Sequence, residues 1–451
     1  MKKIWLVVLL ISLGFLLGSC KHQKEHLTFE MSELGQAVMY EVNIRCYTEA
    51  GTFLAFKEHL PRLKELGVDV LWFMPIHPIS KTNRLGSLGS YYSITDYYGI
   101  NPEFGNHNDF KELVEEAHKL GFKVMMDMVF NHTGWDCPWI SEHRDWYTQD
   151  DKGNILIPEG TSWTDVADLN FDKPALRAEL IKVLKYWVSE FDVDGFRCDA
   201  AGRVPRAFWE EAILALRPYK TLFWLAEDDA DITLVNHLFH ANYSFEYMNL
   251  IKDVVKCVKR ASQIQMFVNR NKGRYPLGTF PLLYTSNHDV NSWEGPDEML
   301  LGAAKDVFSL LTFTIPGMPL IYSGQEVNND KSLAFFEKDE IVWDDVISHP
   351  RTLFYKQLIS LRKDNLALSH LAMDNVVFLF DGNEDTLCFV RSKGDNTIIV
   401  IVNLSNKSQS LEVDLSNYAG SYVDYFGGGN VKISGVESFG LGPWGYRVFV
   451  K

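Results

Sequence analysis

Four short apolar runs in this chain finish on groups that carry charge or protons. The run at 123–130 contains Asp127 and leads into Asn131 and His132, and the run at 194–200 holds Arg197 and Asp199. The run at 221–227 ends on Glu227, and the run at 281–288 leads through Asn287 and His288 to Asp289. Within DGFRCDAAG (194–202) the arginine and aspartate stand two positions apart. On a strand they share a face, so a guanidinium and a carboxylate aim at one place. A cation so placed favours the ionised acid. Charges at the ends of apolar strands cost free energy unless they are paired or used. Salt bridges closing the end of a sheet are the plain alternative, but one arginine cannot neutralise four acids.

The elements that must carry these groups follow from periodicity. Apolar runs at 38–44, 68–76, 123–130, 194–200, 221–227, 241–247, 281–288 and 318–324 alternate with amphipathic stretches such as FKELVEEAHKLG and LRAELIKVLKYWVSEF. Eight strand–helix units predict a (β/α)8 TIM barrel over 36–371 rather than an open doubly wound sheet. Its C-terminal strand ends are where the charged groups fall. Residues 132–171, rich in Trp, Asp, Gly and Pro, read as an insertion after the third strand. From 372 to 451 the pattern changes to strands separated by FDGNED, SKGDN, LSNKS and FGGGN, which predicts a C-terminal antiparallel β-sandwich.

DMVFNH (127–132), GFRCD (195–199), the glutamate of LAED (225–228) and SNHD (286–289) resemble, in order, the signature segments of the α-amylase family of glycoside hydrolases. VADLN (166–170), YYSITDYYGINPEFG (91–105), GMPLIYSGQE (317–326) and YEVNIR (40–45) are similar to its other stretches. The resemblance implies Asp199 as nucleophile, Glu227 as general acid/base and Asp289 as the third carboxylate, gripping sugar hydroxyls. It implies Arg197 beside the nucleophile, His132 and His288 hydrogen-bonded to the sugar, and Asp127 and Asn131 as architectural residues. Tyr92 matches the ring that stacks on that sugar, with Tyr91 as a competing alignment. A retaining glycosidase sets two carboxyls roughly 5–5.5 Å apart, one attacking the anomeric carbon and one protonating the leaving oxygen. Glu227 must then hold its proton near neutral pH in drier surroundings, to which Asp228 and Asp229 either add like-charge pressure or stand aside as solvated loop residues, the second being favoured.

The activity so implied is retaining, endo-type hydrolysis of α-1,4 bonds in starch, maltodextrin or related α-glucans. Alternatives are preference for maltooligosaccharides or cyclodextrins, transglycosylation, or glucan binding without turnover. Trp135 is a candidate stacking ring for glucosyl units, against the alternative that the insertion's tryptophans form its own core. His59 and His77 read as structural. The chain leaves the family pattern after the nucleophile, where Ala200-Ala201-Gly202-Arg203 replaces a small pair followed by Lys-His. A sugar contact is thereby lost, and a structural Ca2+ ion, with Asn131 as a possible ligand, is left open. The chemistry itself requires no cofactor.

The first residues, MKKIWLVVLLISLGFLLGSC, have the charged start, short apolar run and small-residue end of an export signal. Leu17-Gly18-Ser19-Cys20 resembles a bacterial lipobox, which implies lipidation of Cys20, a tether to residue 35, and an exported protein anchored to the cell envelope. The remaining cysteines, Cys46, Cys137, Cys198, Cys257 and Cys388, show no disulfide or zinc spacing. A net charge of -15 argues against a nucleic-acid partner. The expected partners are the glucan substrate and, through the anchor, a membrane.

Overall fold

The computed structural model describes residues 34–379 and 382–451. Eight parallel strands close into a barrel: β1 (Met39–Val42), β2 (Val70–Phe73), β3 (Lys123–Val129), β4 (Gly195–Asp199), β5 (Phe223–Ala226), β6 (Ala241–Tyr243), β7 (Phe280–Leu283) and β8 (Met318–Tyr322). Each pairs with its neighbours in chain order, and β1 pairs with both β2 and β8, which leaves no open edge. Every predicted apolar run contains or overlaps one barrel strand. The strands are shorter than the runs because their last residues turn out of the sheet. At 244–247, for example, the Ser244 hydroxyl accepts the Tyr247 N–H and starts the helix Phe245–Val255.

The flanking helices follow the apolar period. In His107–Lys119 the buried residues Phe110, Leu113, Val114 and Ala117 recur at three- and four-residue steps, and Asn106 and Asp109 form a reciprocal capping box. Pro174–Phe191 begins with proline at its first turn and buries Leu176, Leu180, Val183, Leu184 and Trp187 against the barrel. The segment after β3 carries the short antiparallel pair His132–Gly134 and Val166–Asp168. The C-terminal region, 376–450, is antiparallel, with a six-stranded sheet and a two-stranded sheet. Alternation along Asn396–Asn403 sorts its residues: Ile398, Val400 and Val402 join the barrel-side core, whereas Ile399 and Ile401 pack with Leu411, Val413 and Phe449 in a second core. The predicted fold class is observed. The export segment and Cys20 lie outside the described residues, among which no helix is long and apolar enough to cross a membrane.

Candidate active site

Strand register builds the centre of the site. Asp127 on β3 stands opposite Arg197 on β4, Val129 stands opposite Asp199, and Cys198 stands opposite Ala226, the residue before Glu227. Arg197 is fully buried, and its Nη1 donates to Asp127 Oδ1 and Asp199 Oδ1, both at 2.8 Å. Its Nη2 lies 2.8 Å from Glu227 Oε1, an ion-pair contact rather than an aligned hydrogen bond. Nε donates to the Tyr243 hydroxyl at 3.2 Å, and the rings of Trp72, Tyr92 and Tyr243 surround the guanidinium. One planar fork therefore holds three carboxylates, which a lysine's single ammonium cannot reproduce. Arg197 serves both candidate reacting carboxyls, not Asp199 alone.

Glu227 also accepts the Ala200 N–H at 2.7 Å. Ala200 sits in the left-handed region at φ 43°, an uncommon conformation for a residue with a Cβ, and this turn aims its N–H at the carboxylate. Burial pushes the Glu227 carboxyl up to about 8, helped by Asp199 and Asp289 and opposed by Arg197. Burial likewise pushes Asp127 up, against Arg197. The acidic, dry setting expected for Glu227 is observed, but Asp228 and Asp229 are not its source. Asp228 accepts the Asp231 N–H and packs on Gly202, where a Cβ would meet its Oδ2 at 2.2 Å. Asp229 accepts the Glu246 N–H at the start of a helix.

The opposite side is organised by a residue that the sequence did not single out. Glu41, fully buried on β1, lies 2.5 Å from His288 Nδ1 and also faces the His288 N–H. His288 Nε2 is then left 3.3 Å from Asp289 and 2.8 Å from the Tyr92 hydroxyl. Burial disfavours a charged imidazole, but Asp289 and Glu41 outweigh it and hold His288 up at about 9. His132 shows the contrary case, since burial lowers its pKa and its Nδ1 faces the Asn131 amide nitrogen at 3.1 Å. The signal for Glu41 was present as a lone acid inside the apolar run VMYEVNI.

Asp199, Glu227, Asp289, His132, His288 and Tyr92 all line one open cleft of about 440 Å³ at the C-terminal strand ends. Between the two tyrosines, Tyr92 faces the cleft, whereas Tyr91 turns away to Asn43 and lies under the Arg45 guanidinium. Trp135 does not line the cleft: its indole N–H donates to Thr164 O, which ties it into the insertion. Trp163 lines it instead, edge-on to His132 at 5.5 Å and beneath the Arg203 guanidinium. Trp139 and Trp146 pack on each other, with Trp139 stacked on Tyr97, as the insertion's own core. Trp293, Phe335 and Phe336, none of them singled out from sequence, complete the far wall. His77 packs between Tyr97 and Trp187, and His59 accepts from Arg62.

At the departure from the family pattern, Arg203 reaches across to the insertion and donates to Glu159 O at 3.0 Å. Among the described residues no three His, Cys, Asp or Glu side chains converge as a metal site. The Asn131 amide nitrogen is turned toward His132, and the Arg203 guanidinium reaches the insertion.

The α-amylase catalytic-domain model matches residues 35–347, and the maltogenic amylase C-terminal domain model matches residues 376–448. The chain is 27% identical over 437 residues to α-amylase MalA from Haloarcula japonica, covering 90% of this chain and 62% of that protein. It is 25% identical over 385 residues to a cyclomaltodextrinase from a Bacillus species, covering 78% of this chain and 66% of that protein. It thus spans less than two thirds of the length of these relatives. The crystal structure of the maltogenic α-amylase AmyB from Thermotoga neapolitana superposes with a TM-score of 0.82 at 28% identity, covering 93% of this chain and 99% of that one. The catalytic-domain match runs through the barrel and its insertion and covers more than half of the sequence, so this chain belongs to the α-amylase family of glycoside hydrolases.

Proposed function

We propose that the protein is a retaining hydrolase of α-1,4-glucosidic bonds that acts on maltooligosaccharides and cyclodextrins. The observation that carries this reading is the pairing of Asp199 and Glu227 on adjacent nitrogens of Arg197 within one cleft. In the first step Asp199 attacks the anomeric carbon while Glu227 gives its proton to the departing oxygen. In the second, Glu227 takes a proton from water, whose oxygen displaces Asp199 and releases the sugar. Arg197 pairs with Asp199 and fixes its position, burial keeps Glu227 protonated until it is needed, and Asp289 with His288 binds sugar hydroxyls. His132 supplies a neutral imidazole to the same sugar, and Tyr92 and Trp163 bracket it. The relatives named cyclomaltodextrinase and maltogenic α-amylase support the short or cyclic substrate class. Internal cleavage of starch is the broader form of the same reading.

Chromatography of early products from starch, pullulan, cyclodextrin and maltotriose, with Glu227→Gln as the control, tests it. The expected result is faster turnover of cyclodextrin and maltotriose than of starch. No released reducing sugar from any of the four sinks the hydrolase reading, and chains longer than the substrate replace it with transglycosylation. Every bond and proton in this scheme is handled by side chains, so dialysis against EDTA leaves turnover intact, and a loss restored by Ca2+ contradicts that. For location, the Leu17-Gly18-Ser19-Cys20 segment supports export and lipidation at Cys20. Mass spectrometry of the mature N-terminus finds an acylated cysteine, and an unmodified terminus removes the anchor.

A further inference from the structure

Four rings form a continuous series from the reaction centre to the rim of the cleft. His288 stacks on Tyr92 at 5.4 Å and 20°, Tyr92 stacks on Phe335 at 6.0 Å and 12°, and Phe335 meets Trp293 at 5.1 Å and 36°. Exposure rises along the series, from 1% at His288 and 9% at Tyr92 to 59% at Trp293. A tryptophan so exposed contributes little to the core, yet its backbone is held firmly. Trp293 lies on a single π-helical turn, Val290–Glu294, of a kind that recurs at functional sites. Asn291 Oδ1 accepts the Leu333 N–H at 2.8 Å, and the Ser292 hydroxyl donates to Leu333 O at 2.7 Å. The segment bearing Phe335 and Phe336 is tied in turn to the loop below Tyr92, since Leu88 N–H donates to Phe336 O at 3.0 Å. The wall is therefore built before substrate arrives, which lowers the ordering cost of binding.

The direction of the series follows from the chemistry. Glu227 protonates the leaving oxygen, so the departing part of the substrate lies on its side, next to Ala200. The rings lead instead from His288 through Tyr92, which follows β2, to Phe335, which follows β8, whereas Ala200 and Glu227 stand at the ends of β4 and β5. We propose that Trp293, backed by Phe335 and Phe336, is a stacking platform for the glucosyl unit that precedes the sugar under attack. On this platform the chain discriminates by glycone length, favouring substrates with at least two glucosyl units before the cleavage point. A pyranose presents a face of C–H groups to such a ring, and an aromatic face recognises it by burial and by contact with its electron-rich surface. The inference rests on the α-glucan hydrolase reading above.

The test holds the leaving group constant and varies only the glycone, using the 4-nitrophenyl α-glucoside, α-maltoside and α-maltotrioside on the full chain. In the native protein, kcat/KM rises when the second glucosyl unit is added. In Trp293→Ala this rise shrinks by roughly tenfold, the factor that about 1.4 kcal/mol of lost stacking represents, and Trp293→Tyr, which keeps a ring, restores most of it. A rise left unchanged in Trp293→Ala, or an equal loss on all three glycosides, overturns the platform. No nitrophenol from any glycoside and no product from cyclodextrin with the native protein overturns the hydrolase reading, and the platform with it. Turnover of cyclodextrin without a glycone-length effect overturns the platform alone.

Discussion

Two clusters of buried arginine solve the same electrostatic problem in opposite ways. At the barrel mouth, Arg197 faces Asp127, Asp199 and Glu227, and its guanidinium is held charged despite burial. At the junction with the C-terminal sheets, Arg362 and Arg391 are equally buried, but neither forms an ion pair among the described residues. Arg362 donates to Phe313 O, Gly317 O and the ring of His370, and Arg391 donates to Thr314 O, Ser369 O, Ala372 O and the Asn375 side chain. Burial pulls Arg362 down to about 9, and Arg391 and His370 lie well below their ordinary ranges. Carbonyls satisfy donors without supplying a titratable partner, so the junction is a clamp on the C-terminal end of helix Lys305–Thr314. Carboxylates satisfy the same donors and can also react, so charge pairing at the mouth leaves the groups that, in the proposed scheme, attack sugar and move protons.

The sharpest way to break this contrast is Glu227→Gln, which keeps shape and removes the proton. Hydrolysis falls by about 10²–10⁴-fold, while thermal unfolding shows the fold retained. Arg197→Met comes next, since it leaves three buried carboxylates without their cation. Unfolding in denaturant loses about 3–5 kcal/mol, and activity is lost as well. Arg391→Met removes donors from three buried carbonyls and costs about 3 kcal/mol, but turnover per folded molecule stays at the native level; loss of turnover there erases the distinction between clamp and centre.

The pH dependence sharpens the comparison further. Glu227 must be protonated to donate, so the rate falls as pH rises through about 8, and Glu227→Gln lacks this limb in its residual activity. The smallest effect belongs to Glu41→Gln. His288 is raised from its ordinary value to about 9, so the stabilisation from its acidic partners is complete below about 6.5 and disappears as pH rises through 9. Removing the Glu41 charge lowers the His288 midpoint in a proton NMR titration, and an unmoved midpoint assigns the whole effect to Asp289.

The barrel was legible because each strand is an apolar run with a helix of matching period after it, and strand ends are where this architecture collects polar groups. Asp199, Glu227, Asp289, Arg197, His132 and His288 were legible because each lies in or beside such a run, where strand direction aims it at the mouth; Tyr92, on the long connection after β2, was legible only through the resemblance of its segment to the family. Rings on long connections carry no such rule. Nothing local distinguishes Trp135, held to Thr164 in the insertion, from Trp163, which faces the cleft. Trp293 and Phe335 lie more than forty positions apart and form one surface only because Asn291 and Ser292 bind Leu333. Glu41 was visible as an acid in an apolar strand, but its partner His288 is 247 positions away and becomes its neighbour only when β1 joins β8 to close the sheet.

By itself, then, the order of apolar runs determined the closed barrel, and the charges at their ends determined which carboxylates meet, because both depend on local period and strand direction. Tertiary structure alone decided that one guanidinium holds both candidate reacting acids, that Glu41 charges the histidine beside Asp289, and which aromatic rings form the walls. Those outcomes depend on distances between segments remote in sequence, and burial sets their energies only after the chain has closed.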